Sequence, residues 1–146
     1  PIGVISRSGG MTNDVSWQLS GKGLGISTAV HIGGDMLMGT TYADALKLFE
    51  ADKETKGVVI FGEMGGRYEF EIVEIMKKKE FTKPLAIFIG GKFGKNLPSG
   101  MTIGHAGAII EKGEGSVEAK QKALEEVGVM VAEVYEDLPK LIASKI

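Results

Sequence analysis

Five short apolar runs alternate along this chain with segments at helical spacing, and that alternation leaves few folds open. Ile2 to Ser6 reads as the first strand, and a helix follows from about Met11 to Ser20 with Val15 and Leu19 on one face. Ile26 to Ile32 is the second strand. Thr41 then stands as the N-cap of a helix ending near Glu50, on which Tyr42, Ala45, Leu46 and Phe49 share an apolar face. Val58 to Gly62 is the third strand, and Tyr68 to Lys79 a third helix carrying Phe70, Val73, Ile75 and Met76, with lysines in its last turn. After Lys83-Pro84, Leu85 to Ile89 forms the fourth strand. Ser116 caps a helix to about Val127, Gly128 ends it, Val129 to Ala132 is the fifth strand, and Asp137 to Ser144 a closing helix. Strands that alternate with helices pair in parallel through right-handed crossovers. The expected fold class is therefore α/β, a flavodoxin-like doubly wound five-stranded parallel sheet.

A chain of 146 residues fits one domain that buries roughly two-thirds of the surface its unfolded form exposes. Hydrophobic residues make up 43% and charged ones 25%, within the usual range for water-soluble domains. No apolar run approaches the ~20 residues of a membrane span, so no membrane partner is expected and a cytoplasmic or matrix-like compartment is. Zero cysteines exclude a disulfide framework and thiolate metal ligands. A net charge of -2 gives no electrostatic reason to expect nucleic acid. Pro1 fits either a removed initiator methionine or a cut inside a longer chain, and no targeting segment precedes the first strand.

In wound sheets of this kind ligands bind outside the carboxyl ends of the strands. Four segments fall at that edge. Ser6-Arg7-Ser8-Gly9-Gly10 closes the first strand and opens the first helix, where free backbone N–H groups and the positive end of the helix dipole suit a phosphate or phosphohistidine. A tight turn that binds nothing is the plainer reading of Ser8, Gly9 and Gly10. Gly33-Gly34-Asp35 follows the second strand, with Asp35 placed to orient its loop through side-chain to backbone hydrogen bonds. Gly62-Glu63-Met64-Gly65-Gly66 sets a carboxylate among glycines after the third strand. The fourth segment is a stretch of about twenty-five residues, Gly90 to Gly115, with little periodicity, and loops of that length inside a domain are usually functional.

That loop contains Gly104-His105-Ala106-Gly107-Ala108, whose small residues neither cover nor crowd the imidazole. A carboxylate facing an imidazole fixes its tautomer, which readies the ring to take and release a group. Glu63 is the nearest candidate. His31, at a strand end with no acidic neighbour, reads as structural, and two histidines without cysteines make a zinc site unexpected. Gly90-Gly91-Lys92-Phe93-Gly94-Lys95 fails the spacing of a phosphate-binding P-loop, Gly21-Lys22-Gly23-Leu24-Gly25 fails the dinucleotide fingerprint, and Lys77-Lys78-Lys79 reads as a solvated helix end.

Together, Ser6-Arg7-Ser8-Gly9-Gly10-Met11-Thr12-Asn13, Ile32-Gly33-Gly34-Asp35, Gly62-Glu63-Met64-Gly65-Gly66 and Gly104-His105-Ala106-Gly107-Ala108 resemble the ligase domain of the nucleotide-forming acyl-CoA synthetases. That superfamily includes the succinyl-CoA synthetase α subunit and ATP-citrate lyase. The resemblance runs in order along essentially the whole chain. It implies that His105 is the residue phosphorylated during turnover, that Glu63 interacts with it, and that the turn at Ser8, Gly9 and Gly10 faces the phosphoryl group. It also implies an acid-thiol ligase that uses CoA and ATP with Mg as substrates, none of them bound by this domain alone.

Residues 1–146 would then be one CoA-ligase domain, a fragment or part of a larger oligomeric enzyme. Its partners would be a CoA-binding domain, an ATP-grasp nucleotide domain and a small carboxylic acid. Ser-Gly-Gly-Met-Thr-Asn, Tyr68 to Pro84 and the loop length lean toward the citrate branch, whereas Gly107-Ala108-Ile109-Ile110 and Gly113-Glu114-Gly115 look more like succinyl-CoA synthetase. The rival reading is a non-catalytic flavodoxin-like anion-binding or regulatory module.

Overall fold

Strands that are apolar along their whole length must be covered on both faces, and this sheet is. A computed structural model describes residues 1–110 and 113–146; positions 111 and 112 of the expected long loop lie outside the described residues. Strands β1 (Ile2–Ser6), β2 (Ile26–His31), β3 (Gly57–Glu63), β4 (Leu85–Gly90) and β5 (Met130–Ala132) pair in the order β2-β1-β3-β4-β5, every pair parallel. This is the expected flavodoxin-like order, with its reversal between β1 and β3.

The helices divide between the two faces. One core joins Ile5, Val58, Ile60, Ile87 and Ile89 of the sheet to α2 (Tyr42–Ala51), α3 (Phe70–Lys77) and α4 (Val117–Glu126). The other joins Ile2, Val4, Val59 and Ala86 to α1 (Gly9–Gly21) and α5 (Leu138–Ala143). All four residues read as the apolar face of α2 are buried, and so are Val15 and Leu19 of α1. In α3 the buried set is Ile72, Val73 and Ile75, with Phe70 and Met76 half-buried. Thr41 caps α2 in a reciprocal box with Asp44, and Ser116 caps α4 by accepting from the Ala119 N–H.

Where element ends differ from the sequence reading, a local hydrogen bond is the reason. Helix α1 starts at Gly9 rather than Met11, because Ser8 serves as N-cap and leaves both glycines in the first turn. Helix α3 stops at Lys77 because Lys79 takes a left-handed φ of 55°, and the Glu80 N–H folds back to the Ile75 carbonyl. Strand β5 begins at Met130 because the Val129 N–H closes the end of α4 on Leu124. The long loop is not featureless. It holds a 3-10 turn at Lys92–Asn96, a second at Gly113–Gly115, and an antiparallel bridge between Thr102 and Ile109 that makes a narrow hairpin with His105 at its tip. Among the described residues no helix is long and apolar enough to cross a membrane.

Gly3 shows how closely α2 sits on the sheet. A Cβ there would stand 2.6 to 2.9 Å from three ring carbons of Phe49, itself buried. Gly3→Val should therefore destabilise the fold by about 1–3 kcal/mol through overpacking. Urea unfolding would register this as a lower midpoint with an unchanged slope.

Candidate active site

Parallel register levels the carboxyl ends of β1 and β3. Ser6 lies opposite Phe61, so the residues just beyond, Arg7 on one strand and Gly62-Glu63 on the other, emerge side by side at the point where the strand order reverses. The hairpin from β4 to α4 then brings His105 over them. His105 Nδ1 is 2.8 Å from Glu63 Oε2, although the two residues are 42 positions apart. The imidazole side chain is 37% exposed and the carboxylate 16%.

The other carboxylate oxygen faces a cation. Glu63 Oε1 is 3.2 Å from Nε of Arg7, whose side chain is wholly buried. The Arg7 Nε–H donates to the Gly33 carbonyl at 3.3 Å, and Glu63 Oε1 has no hydrogen bond of good direction, so the contact with Glu63 is Coulombic rather than a directed bond. The guanidinium lies over the Tyr68 ring, 4.4 Å from its centroid, and its two terminal nitrogens have no hydrogen-bond partner among the described residues. Tyr68 in turn donates its hydroxyl to the Met36 carbonyl. Nothing in the sequence reading gave Arg7 a role. Its signal was position: an arginine directly following a largely apolar strand, at the strand-order reversal.

Glycines let the hairpin dock. A Cβ on Gly34 would overlap the His105 ring, and the Gly34 carbonyl accepts from the Gly107 N–H at 2.9 Å. Gly65 has a φ of 83° and lies against the backbone of Ile109 and Gly107, which excludes any side chain there. Asp35 does orient its loop: its Oδ1 accepts from the Met36 N–H at 2.6 Å. His31, read as structural, is exposed at the end of the edge strand and packs into neither core.

Local hydrogen bonds shape the turn at the start of α1. Ser6 Oγ takes the Ser8 N–H, Ser8 Oγ takes the Met11 N–H at 3.4 Å, and the Ser8 carbonyl takes the Thr12 N–H. Gly9 and Gly10 precede the first intrahelical bond, and both are exposed. Arg7, the residue before this cap, links the turn to Glu63.

Beneath Glu63 lies a second ionic pair that sequence reading missed altogether. Lys120 and Glu69 are both fully buried and 2.6 Å apart. Tyr42 donates its hydroxyl to Glu69 at 3.4 Å; burial first, and the Glu69 charge second, hold this phenol well above its usual range, so it stays a donor. A cleft of about 190 Å³, mostly apolar, opens between Glu63, Phe61, Phe93 and Ala108. A separate cavity of about 180 Å³, between Met64 and Ser116, touches none of Ser8, Glu63 or His105. Among the described residues no group of three or more acidic, histidine or cysteine side chains gathers as a metal site would require.

Because a methyl group on Gly34 and the imidazole cannot share one space, Gly34→Ala should push His105 off Glu63 at a stability cost of about 1–3 kcal/mol. Long-range proton–nitrogen spectra of 15N-histidine protein, assigned with His105→Asn, would show the loss of a single fixed tautomer. An unchanged spectrum would contradict this account of Gly34.

Comparison with known proteins gives the chain's family. The chain is 45% identical over 131 residues to the ADP-forming sulfoacetate-CoA ligase subunit SauD of Bilophila wadsworthia, covering 90% of this chain and 44% of that protein. It is 44% identical over 142 residues to the ADP-forming succinate–CoA ligase subunit alpha 2 of Archaeoglobus fulgidus, covering 97% and 48%. The chain thus spans about half the length of the curated relatives it matches. Among solved structures, the ATP citrate lyase of Methanosaeta concilii, a mutant in complex with (3S)-citryl-CoA, superposes with a TM-score of 0.91 at 30% identity, over 98% of this chain and 23% of that one. The CoA-ligase family model matches residues 5–130, which takes in the end of β1, the glycine turns, Glu63 and His105, and the chain belongs to that family.

Proposed function

We propose that this chain is the histidine-bearing domain of an ATP-dependent carboxylate–CoA ligase, in which His105 carries a phosphoryl group between nucleotide and acid. The observation that supports this most is the 2.8 Å contact of His105 Nδ1 with Glu63. A carboxylate on Nδ1 holds the proton there and leaves the Nε2 lone pair free to attack. Nε2 would take the γ-phosphoryl of ATP, bound with magnesium on an ATP-grasp partner, as the bond to ADP breaks. A carboxylate oxygen of the acid would then take the phosphoryl from Nε2, giving an acyl phosphate and restoring the ring. The sulfur of CoA, held by a CoA-binding domain, would displace phosphate to form the thioester.

In such transfers positioning and charge stabilisation supply most of the rate. Here the exposed first-turn N–H groups of Gly9 and Gly10, with Ser8 as cap, would face the phosphoryl group. Arg7 holds a fixed positive charge one residue before that turn. The identities of 44–45% to succinate and sulfoacetate ligase subunits, against 30% to an ATP citrate lyase, favour a small dianionic acid over citrate. That weighs against the lean of the sequence motifs toward the citrate branch.

In the complete ligase, His105→Asn should abolish acid-labile labelling by γ-labelled ATP. Glu63→Gln should slow both gain and loss of the label by about 10- to 100-fold. A wild-type assembly that never takes up label would overturn the reading and favour a non-catalytic anion-binding module.

A further inference from the structure

We infer that the buried Lys120–Glu69 pair is a positioning device for Glu63, whose purpose is to fix the turn that carries the carboxylate rather than to hold the fold. The inference rests on the reading of Glu63 and His105 as the reactive pair. Lys120 Nζ has three protons, and each finds a partner in this turn or in Glu69: the Glu63 carbonyl at 3.1 Å, the Gly65 carbonyl at 2.8 Å and Glu69 Oε2 at 2.6 Å. Glu69 Oε1 accepts the Glu63 N–H at 3.3 Å and the Tyr42 hydroxyl at 3.4 Å. Both backbone polar groups of Glu63 therefore end on one ion pair that no solvent reaches.

A buried ion pair is a poor source of stability, since desolvating two charges offsets most of their attraction. Its best-attested use is to specify one arrangement among several of similar energy. Here the arrangement is specific. Glu63 must put one oxygen near Arg7 Nε and the other near His105 Nδ1, and a turn of Gly62, Gly65 and Gly66 has little stiffness of its own. Pinning N–H and C=O at position 63 fixes the direction in which the Cα–Cβ bond leaves the chain. The carboxylate, two carbons further out, then has only side-chain torsions left to choose.

Lys120 sits on α4 between Val117 and Leu124, so the helix delivers the ammonium inward through a core-facing position. Glu69 immediately precedes α3, which begins at Phe70, and Tyr42 opens α2. Two helices thus act on the backbone of one residue, and a third supports the carboxylate that accepts its N–H. None of the three side chains touches His105, which makes them positioning residues and not catalytic ones.

The test uses the complete ligase with two neutral replacements, Lys120→Met/Glu69→Gln and Lys120→Met/Glu69→Leu. The first retains an acceptor for the Glu63 N–H, the second none. Ile142→Val, in the core on the opposite face, is the control for generic destabilisation. Phosphohistidine formation should fall by about 10- to 100-fold in the pair variants with the KM for ATP unchanged, the Gln variant falling less. The His105 nitrogen spectrum should lose its fixed tautomer in both and keep it in Ile142→Val. Folded pair variants with wild-type rates and spectra would overturn the inference. So would failure of both variants to fold, because the pair would then be holding the structure together. If Glu63→Gln itself transfers phosphoryl at the wild-type rate, the underlying reading of the site falls; if only the pair variants do, the positioning claim falls alone.

Discussion

The pairing of β1 with β3 sets the distances on which the site depends. Both strands are mostly buried and run in the same direction, so their carboxyl ends finish close to the same level, with Ser6 opposite Phe61. Just beyond, Arg7 one position past Ser6 and Glu63 two past Phe61, a cation and an anion leave adjacent strands. Arg7 is buried there without a full set of partners, which is costly in isolation and tolerable because Glu63 and the Tyr68 ring lie against it. The helix that follows β1 starts at the next residue but one, so the same register that places the ion pair also places the outward N–H groups of α1.

A second constraint is steric. The hairpin carrying His105 reaches Glu63 by lying on glycine backbones at Gly34 and Gly65, where a methyl group would meet the ring or the hairpin itself. The doubled glycines that look like signs of flexibility are in this structure signs of close approach. Backbone bonds hold the hairpin, among them Gly107 to Gly34, Ile103 to Ala108, Ala108 to His105, and Ile110 to both Met101 and Gly100. The imidazole is thus pre-set against its carboxylate while remaining more than a third exposed, an arrangement suited to a ring that must meet a group arriving from outside.

Much of this was legible in the chain. Alternating apolar runs were enough for the sheet, because parallel strands announce themselves by apolarity on both faces. Glu63, His105 and the Ser8 turn were legible because each stands in a short local pattern of glycine and one reactive residue. Lys120, Glu69 and Tyr42 were not. Their meaning lies in contacts across 51 to 57 residues for Lys120 and 27 for Tyr42, and a pattern confined to one helix cannot carry that. What α4 did show was an anomaly: in Val117, Lys120, Gln121, Leu124 a lysine occupies the apolar stripe. A charged residue on such a stripe has to be paired, and the shortage of unclaimed acids near the fold's interior leaves few partners for it.

The distribution of polarity inside the molecule then bears on how its two requirements are reconciled. Below the site the two cores are apolar and tightly fitted, as at Gly3 against Phe49, and they supply stability without specifying the position of any charge. Toward the carboxyl edge the interior turns ionic, with Arg7, Glu63, Glu69 and Lys120 packed over four or five residues of backbone. That region gains little net stability from its charges and gains directional restraint, since hydrogen bonds and ion pairs fix angles where apolar contacts fix only volumes. A rigid apolar base under a directionally restrained ionic layer lets the exposed layer, the His105 hairpin and the glycine turns, remain loosely held without losing its alignment. The proposed phosphoryl transfer would need both properties at once, because the ring would have to be aimed when it reacts and reachable before and after.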